Sequence, residues 1–105
     1  MPTLRALERP YPQVVAGTPR RFRFDSSSLR FTLSYSTRRA GRPGRFPAGS
    51  RTAIFVPRLR YPHGYRVRAG GARVTSRRGA DRLLVASLPG ARNVTVTVTS
   101  AHSAR

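Results

Sequence analysis

Acidic side chains are the first candidates for catalysis, because two carboxylates with different pKa values can act as a general acid and base. This chain has three, Glu8, Asp25 and Asp81. Glycosidic hydrolysis with retention needs the two carboxyl groups about 5 Å apart. Asp25 and Asp81 stand in turn sequences, and Glu8 lies in an N-terminal segment that proline residues close. We therefore predict no catalytic residues here, and a chain that is not itself an enzyme.

The sequence offers little for metal or cofactor binding. Its two histidines, His63 and His102, are isolated, and it has no cysteine, whereas a zinc site needs three or four ligands at defined spacing. The glycines of Gly41-Arg-Pro-Gly44 and Gly70-Gly71 lack the spacing of a phosphate-binding loop and suit turns instead. We predict no metal site and no cofactor.

Arginine is the one strong chemical signal. All 21 basic residues are arginine, and the formal net charge is +18. Such a surface attracts polyanions, including nucleic acid and anionic membranes, in a manner that salt weakens. The candidate polyanion-binding residues are Arg20, Arg21, Arg23, Arg38, Arg39, Arg42, Arg45, Arg66 and Arg68.

Apolar and polar residues alternate with the period of a β-strand around these arginines. Phe22 and Phe24 fall on one side of a predicted strand, with Arg21 and Arg23 on the other. The segment 29–35 alternates in the same way, and we expect it to form a hairpin with the first strand. The aromatic rings are thereby predicted to fill a core rather than to stack on bases.

Strand patterns and turn residues recur to the end of the chain, without an intervening helix. Val94, Val96 and Val98 alternate with threonines in the last strand. About seven strands favour an all-β fold, an antiparallel β-sandwich of immunoglobulin-like or similar type. We assign residues 1–12 to the remnant of a preceding helix or linker, 13–100 to the sandwich, and 101–105 to a disordered tail.

The stretch from Thr52 to Ser76 lies at the centre of this pattern. It opens with an apolar run, and Gly70-Gly71 is expected to close a two-residue hairpin whose return strand begins at Val74. The predicted core residues are Phe22, Phe24, Phe31, Leu33, Tyr35, Ile54, Phe55, Val67, Val74, Leu84, Val94, Val96 and Val98.

An ordered set of short motifs then indicates a family. The set comprises Arg9-Pro-Tyr-Pro-Gln-Val-Val-Ala-Gly-Thr-Pro19, Phe22-Arg-Phe-Asp25, Ile54-Phe-Val-Pro57, Tyr61-Pro-His-Gly-Tyr65, Gly70-Gly71 and Gly90-Ala-Arg-Asn-Val-Thr-Val-Thr-Val98. Through these motifs, nearly the whole chain resembles the C-terminal β-sandwich domain of glycoside hydrolase family 5 endoglycoceramidase-like enzymes.

The resemblance implies an accessory role. In that family the module follows a barrel whose paired glutamates hydrolyse glycolipids or other β-glucosides. It implies a barrel domain as partner in cis, a glycan or glycolipid nearby, and members that are often secreted. Tyr11, Tyr61 and Tyr65 are the aromatic residues expected to face a barrel or a sugar, with core filling the favoured use of Tyr65. A sandwich without its barrel is expected to expose an apolar patch.

Two other hypotheses stay open at this point. One is an arginine-rich module that binds RNA, DNA or anionic membranes non-specifically. The other is a gene remnant or mistaken reading frame without a selected function. The chain shows no signal-peptide apolar segment and no run of 18 apolar residues, so we predict no transmembrane span. The cellular location is left unassigned.

Overall fold

The fold is an antiparallel β-sandwich of two four-stranded sheets, as a computed structural model of residues 10–25, 27–41, 43–57, 61 and 64–101 shows. The first sheet has the order β1-β4-β7-β6 and the second the order β2-β3-β8-β5. The strands are β1 (Tyr11–Val14), β2 (Thr18–Asp25), β3 (Arg30–Ser36), β4 (Arg51–Phe55), β5 (Tyr65–Gly70), β6 (Ala72–Val74), β7 (Arg82–Ser87) and β8 (Asn93–Ser100). The predicted fold class is confirmed, with eight strands where about seven were expected.

The first strand, β1, is the one that the sequence did not predict. Its segment, from Tyr11 to Pro19, looks too irregular for a full strand because of its prolines. Tyr11 and Pro12 nevertheless pair with Phe55 and Ile54 of β4, and the register shifts before Val14. Proline is tolerated because β1 is an edge strand, where one side of the backbone needs no ladder partner.

The hairpin of β2 and β3 is confirmed, with Phe22 opposite Leu33 and Phe24 opposite Phe31. Its turn includes Leu29 at a φ of +61°, a conformation uncommon for a residue with a side chain. The Tyr61 hydroxyl donates a hydrogen bond to the Leu29 carbonyl oxygen at 2.8 Å, which holds this turn against the sandwich.

The predicted hairpin at Gly70-Gly71 is wrong. The strand β5 before it pairs with β8 of the second sheet, whereas β6 after it pairs with β7 of the first sheet. Gly71 has a φ of +79°, and a Cβ there would overlap the carbonyl oxygen of Asn93. The glycine therefore serves a corner at which the chain crosses between sheets.

The core lies between the two sheets. Seven predicted core residues are fully buried: Phe31, Leu33, Tyr35, Ile54, Val94, Val96 and Val98. Four more are half-buried, namely Phe24, Phe55, Val67 and Leu84, but Phe55 and Leu84 lie on the outer side of their sheet, so their assignment to the core is wrong.

Two predicted core residues are exposed instead. Phe22 is 55% exposed and Val74 is 40% exposed. Phe22 does point inward, with its ring centroid 6.0 Å from that of Phe31, but β2 is an edge strand and the opposite sheet does not cover it. Val74 lies on β6, the edge of the other sheet. The alternation correctly predicted that Phe22 points inward. Its exposure follows from the position of β2 at the edge of the sheet.

The continuous apolar run in β7 was assigned the wrong parity. Leu83 and Val85, rather than Leu84, point into the core, since they pair with Ile54 and Thr52 on the inner side of β4. A run that is apolar at every position carries no alternation from which to choose a face.

Several predictions lie outside the described residues. They concern the predicted helical remnant, of which residues 1–9 are not described, and most of the tail. They also concern four single residues: Glu8, Arg42, His63 and His102. The domain boundaries therefore stay a prediction. Within the described residues, no helix has the length and apolar character needed to cross a membrane.

Candidate interaction surfaces

The outer side of the sheet β2-β3-β8-β5 forms a polar surface, which we call the arginine–threonine face. Its central strands carry mostly short hydroxyl side chains, with Arg30 at the start of β3, and its two edge strands carry arginines. The members are Arg21, Arg23, Arg30, Thr32, Ser34, Thr95, Thr97, Thr99, Arg66 and Arg68. Every member is exposed or half-exposed, and the five arginines are all exposed.

The register makes this face a regular array. Arg21 and Arg23 lie opposite Ser34 and Thr32 on the neighbouring strand. At the other edge, Arg66 and Arg68 lie opposite Thr99 and Thr97. Strands are about 4.8 Å apart, so the two arginine rows stand about 14 Å from each other across a hydroxyl-bearing strip.

One acidic residue, Asp25, lies at the corner of the face. Its carboxylate accepts hydrogen bonds from the backbone N–H of Ser27 at 3.0 Å and from the Ser27 hydroxyl at 2.8 Å. These hydrogen bonds hold the pKa of Asp25 below its ordinary value. A general acid needs a raised pKa, so Asp25 has the environment of a turn-capping residue.

The other candidates that the structure describes, namely Arg20, Arg38, Arg39 and Arg45, are not gathered on this face. Arg38 and Arg45 form an isolated bridge between loop segments. The Arg45 guanidinium donates to the Thr37 hydroxyl at 3.0 Å, and the Arg39 guanidinium lies 5.7 Å from the centre of the Phe46 ring. Arg20 is exposed where the register of β2 shifts. The structure thus brings together four of the eight candidates that it describes, and Arg42 lies outside the described residues.

The outer side of the sheet β1-β4-β7-β6 has the opposite character, and we call it the apolar face. Its members are Tyr11, Val14, Ala53, Phe55, Leu84 and Ala86. The Tyr11 and Phe55 rings pack with their centroids 5.3 Å apart, and Val14 is 54% exposed. The side of the sheet that carries the apolar face also carries three arginines, Arg51, Arg73 and Arg82.

Sequence reasoning predicted an apolar patch but did not say which strands carry it, although a signal for its position was present. The segments Ala53-Ile54-Phe55-Val56 and Leu83-Leu84-Val85-Ala86 are apolar at every position. Such runs are typical of strands that are covered on both sides. A strand that is apolar on both sides predicts a second apolar surface on the side of the sheet that faces away from the core.

The three candidate tyrosines have different positions. Tyr11 is half-buried on the apolar face, beside Phe55. Tyr61 is 2% exposed and belongs to the core, so the expectation that it faces a barrel or a sugar is wrong for this chain. Tyr65 packs against the core and donates its hydroxyl to the Ala80 carbonyl oxygen, which is the use that the sequence favoured.

An open groove of about 830 Å³ lies along the β5 and β6 edges, where Val67, Val74 and Leu83 form its apolar part. Arg77 and Arg78 of the following turn contribute to its rim. Val74 is exposed because this groove is open to solvent. Among the described residues, no three histidine, cysteine or carboxylate side chains cluster closely enough to hold a metal ion.

Fold and surfaces together define a β-sandwich module with one apolar and one strongly basic outer side. Residues 9–99 match the glycoside hydrolase family 5 C-terminal domain, and the chain belongs to that family. It is 40% identical over 100 residues to endoglycoceramidase I of Rhodococcus hoagii, covering 95% of this chain and 18% of that enzyme.

Solved structures agree with this assignment. Endo-glycoceramidase II from Rhodococcus sp. superposes with a TM-score of 0.64 at 32% identity, over 95% of this chain and 20% of that one. Sterylglucosidase 1 of Cryptococcus neoformans gives a TM-score of 0.68 at 25% identity, over 88% of this chain and 13% of that one. The chain therefore spans about a fifth of the two endoglycoceramidases and 13% of the sterylglucosidase, and corresponds to the C-terminal domain of the endoglycoceramidases without the catalytic domain.

Proposed function

We propose that this chain is a non-catalytic accessory β-sandwich domain of an endoglycoceramidase-like glycoside hydrolase. Its endoglycoceramidase relatives carry a catalytic glycosidase domain in the same polypeptide. The part of them that matches the present chain is about a fifth of their length. Hydrolysis of glycolipid would belong to that barrel, and the sandwich would support it and shape the approach of the substrate.

The apolar face is the observation that carries this proposal. Val14 is exposed and the Tyr11–Phe55 pair is half-exposed, so the described part of the chain leaves this apolar surface partly uncovered, with Ala53 and Ala86 already buried in it. The face includes β1, the first described strand, so a domain joined before Pro10 lies within reach of it. A domain joined covalently at this edge can cover the face with only a short linker. Burial of the apolar area would then stabilise the contact between the two domains.

Hydrolysis by the chain alone is the first test. We expect the 105-residue protein to release no sugar from a glycosylceramide dispersed in detergent. Release of sugar that disappears in the Asp25→Asn or Asp81→Asn variant would overturn the non-catalytic assignment.

The docking surface is tested in a chimera. Residues 9–99 of this chain replace the C-terminal domain of the Rhodococcus hoagii enzyme. Leu84→Glu on the apolar face is compared with Thr97→Glu on the arginine–threonine face. Both positions are half-buried on the outer side of a central strand, which makes the two substitutions matched.

The chimera should be soluble and should hydrolyse detergent-dispersed glycolipid. Leu84→Glu should lower its soluble yield and activity at least about tenfold, because the new charge is buried against the barrel, whereas Thr97→Glu should not. In the 105-residue chain alone, both variants should stay folded. Equal effects of the two substitutions in the chimera would sink the assignment of the apolar face.

A further inference from the structure

We propose that the arginine–threonine face is a docking surface for an anionic lipid bilayer. The inference rests on the proposed accessory role and adds to it a physical partner for the opposite side of the domain. Its starting point is the position of Arg21, Arg23, Arg66 and Arg68 on the outer side of one sheet.

The shape of the face suits a planar partner. Four of its five exposed arginines stand at its two edges, and the strip between them carries short threonine and serine side chains with Arg30 at the end beside Asp25. Nothing bulky in that strip separates a flat surface from both arginine rows, which are about 14 Å apart. All four guanidinium groups can therefore reach the phosphates of one membrane surface together.

The charge of the face suits an anionic partner. Asp25 at the corner is the one acidic residue that the described part of the sheet carries on this side, and Ser27 already donates to its carboxylate. Asp81 precedes β7 of the other sheet. An arginine near an anionic membrane contributes about 1 kcal/mol, so the four together can strengthen binding by roughly three orders of magnitude.

The chemistry of the face argues against single-stranded nucleic acid as the partner. Recognition of unpaired bases depends on exposed aromatic rings on which the bases stack. No aromatic residue lies among the ten members of this face. Phe22 is exposed, but it points to the inner side of the sheet, away from the arginines.

The relationship to the proposed function is geometric. The apolar face and the arginine–threonine face are the two opposite outer sides of one sandwich. A domain that packs on a barrel through the first is free to lie on a membrane through the second. The relatives named endoglycoceramidase act on a lipid that bears sugars, so attachment to the bilayer would bring the barrel to its substrate.

The experiment is sedimentation of the 105-residue chain with phosphatidylcholine vesicles that contain or lack phosphatidylglycerol. A face variant changes four arginines to glutamine: Arg21, Arg23, Arg66 and Arg68. A matched control changes four exposed arginines elsewhere: Arg51, Arg73, Arg78 and Arg82. The two variants have the same net charge, so they differ in where the charge is lost.

The wild-type chain should bind the phosphatidylglycerol vesicles and release them as salt rises. The face variant should lose at least about tenfold in affinity, while the control should lose less than about threefold. A lysine version of the four face positions should retain most of the binding, because the charge is kept. Equal losses in the two glutamine variants would overturn the proposal, since the total charge would then explain the binding.

Thr97→Glu gives a second test that leaves the edge strands unchanged. One negative charge at the middle of the face should lower vesicle affinity about fivefold, with an unchanged circular dichroism spectrum. Stronger binding to single-stranded RNA or heparin than to the vesicles, with loss in the same face variant, would assign the face to a polyanionic chain instead. A chimera that hydrolyses dispersed glycolipid but does not bind vesicles would overturn this inference and leave the accessory role intact.

Discussion

The two outer sides of this sandwich have been built from opposite chemistry on the same backbone. One side presents an aromatic pair with Val14, Ala53 and Leu84 beside it. The other presents rows of arginine about a threonine and serine strip. Because the inner sides of both sheets are mainly apolar, the difference lies in the outward residues. It teaches that one sheet is apolar on both sides, as in strands that are covered twice, whereas the other is apolar on its inner side only.

The largest expected effect tests the inner and outer sides of β7. Leu83→Ala should lower the free energy of unfolding by about 2–5 kcal/mol, because it opens a cavity at a position 1% exposed. Leu84→Ala, on the apolar face, should cost about 1 kcal/mol or less in the chain alone. Denaturant unfolding measures both. Similar losses would mean that the register of β7 is shifted, and with it the composition of the apolar face.

A smaller effect is expected at the corner that joins the two sheets. Gly71→Ala should cost about 1–3 kcal/mol, because an alanine must take the positive φ and its Cβ meets the Asn93 carbonyl oxygen. Gly70→Ala is the control, since Gly70 has open space around it and no positive φ. Thermal unfolding of the two variants gives the comparison. A Gly70 variant as unstable as the Gly71 variant would contradict a crossing at Gly71 and favour the simple hairpin.

The smallest effect concerns the inner side of the sheet whose outer side is polar. Among the described residues, the buried Tyr35 hydroxyl has no well-formed hydrogen bond, although Thr52 is near it. Burial raises the pKa of Tyr35 above its ordinary value of 10.0. The stability that depends on a neutral Tyr35 is therefore full below about pH 10 and is lost as pH rises through the folded-state pKa.

Tyr35→Phe should thus leave stability at neutral pH unchanged or raise it by up to about 1 kcal/mol, and should weaken the loss at alkaline pH. Tyr65→Phe is the contrast. Burial, followed by the charge of Asp81, also raises the pKa of Tyr65, but its hydroxyl donates to Ala80. That variant should lose about 1 kcal/mol at neutral pH. Denaturant unfolding at neutral and alkaline pH measures the stability of both variants. A marked loss of stability in Tyr35→Phe at neutral pH would show that the Tyr35 hydroxyl makes a hydrogen bond.

Strict alternation allowed much of the second sheet to be predicted. Val94, Val96 and Val98 alternate with threonines, so the inner and outer sides follow from the two-residue period of a strand. The same rule placed Arg21 and Arg23 on the outer side. It also gave Phe22 the correct inward direction, but not its exposure, which depends on what the opposite sheet covers.

Local residue types and their order determined that this chain is an all-β sandwich and a member of the glycoside hydrolase family 5 C-terminal domains. The period of the side chains and the residue types of the turns depend on only a few neighbouring residues, so the sequence contains this information in full. The tertiary structure alone decided that Gly71 marks a crossing between sheets, that Tyr61 is buried, and that Leu84 faces outward. Each of these depends on which distant strand lies beside a residue, and pairing between strands far apart in the chain leaves no mark in the local pattern.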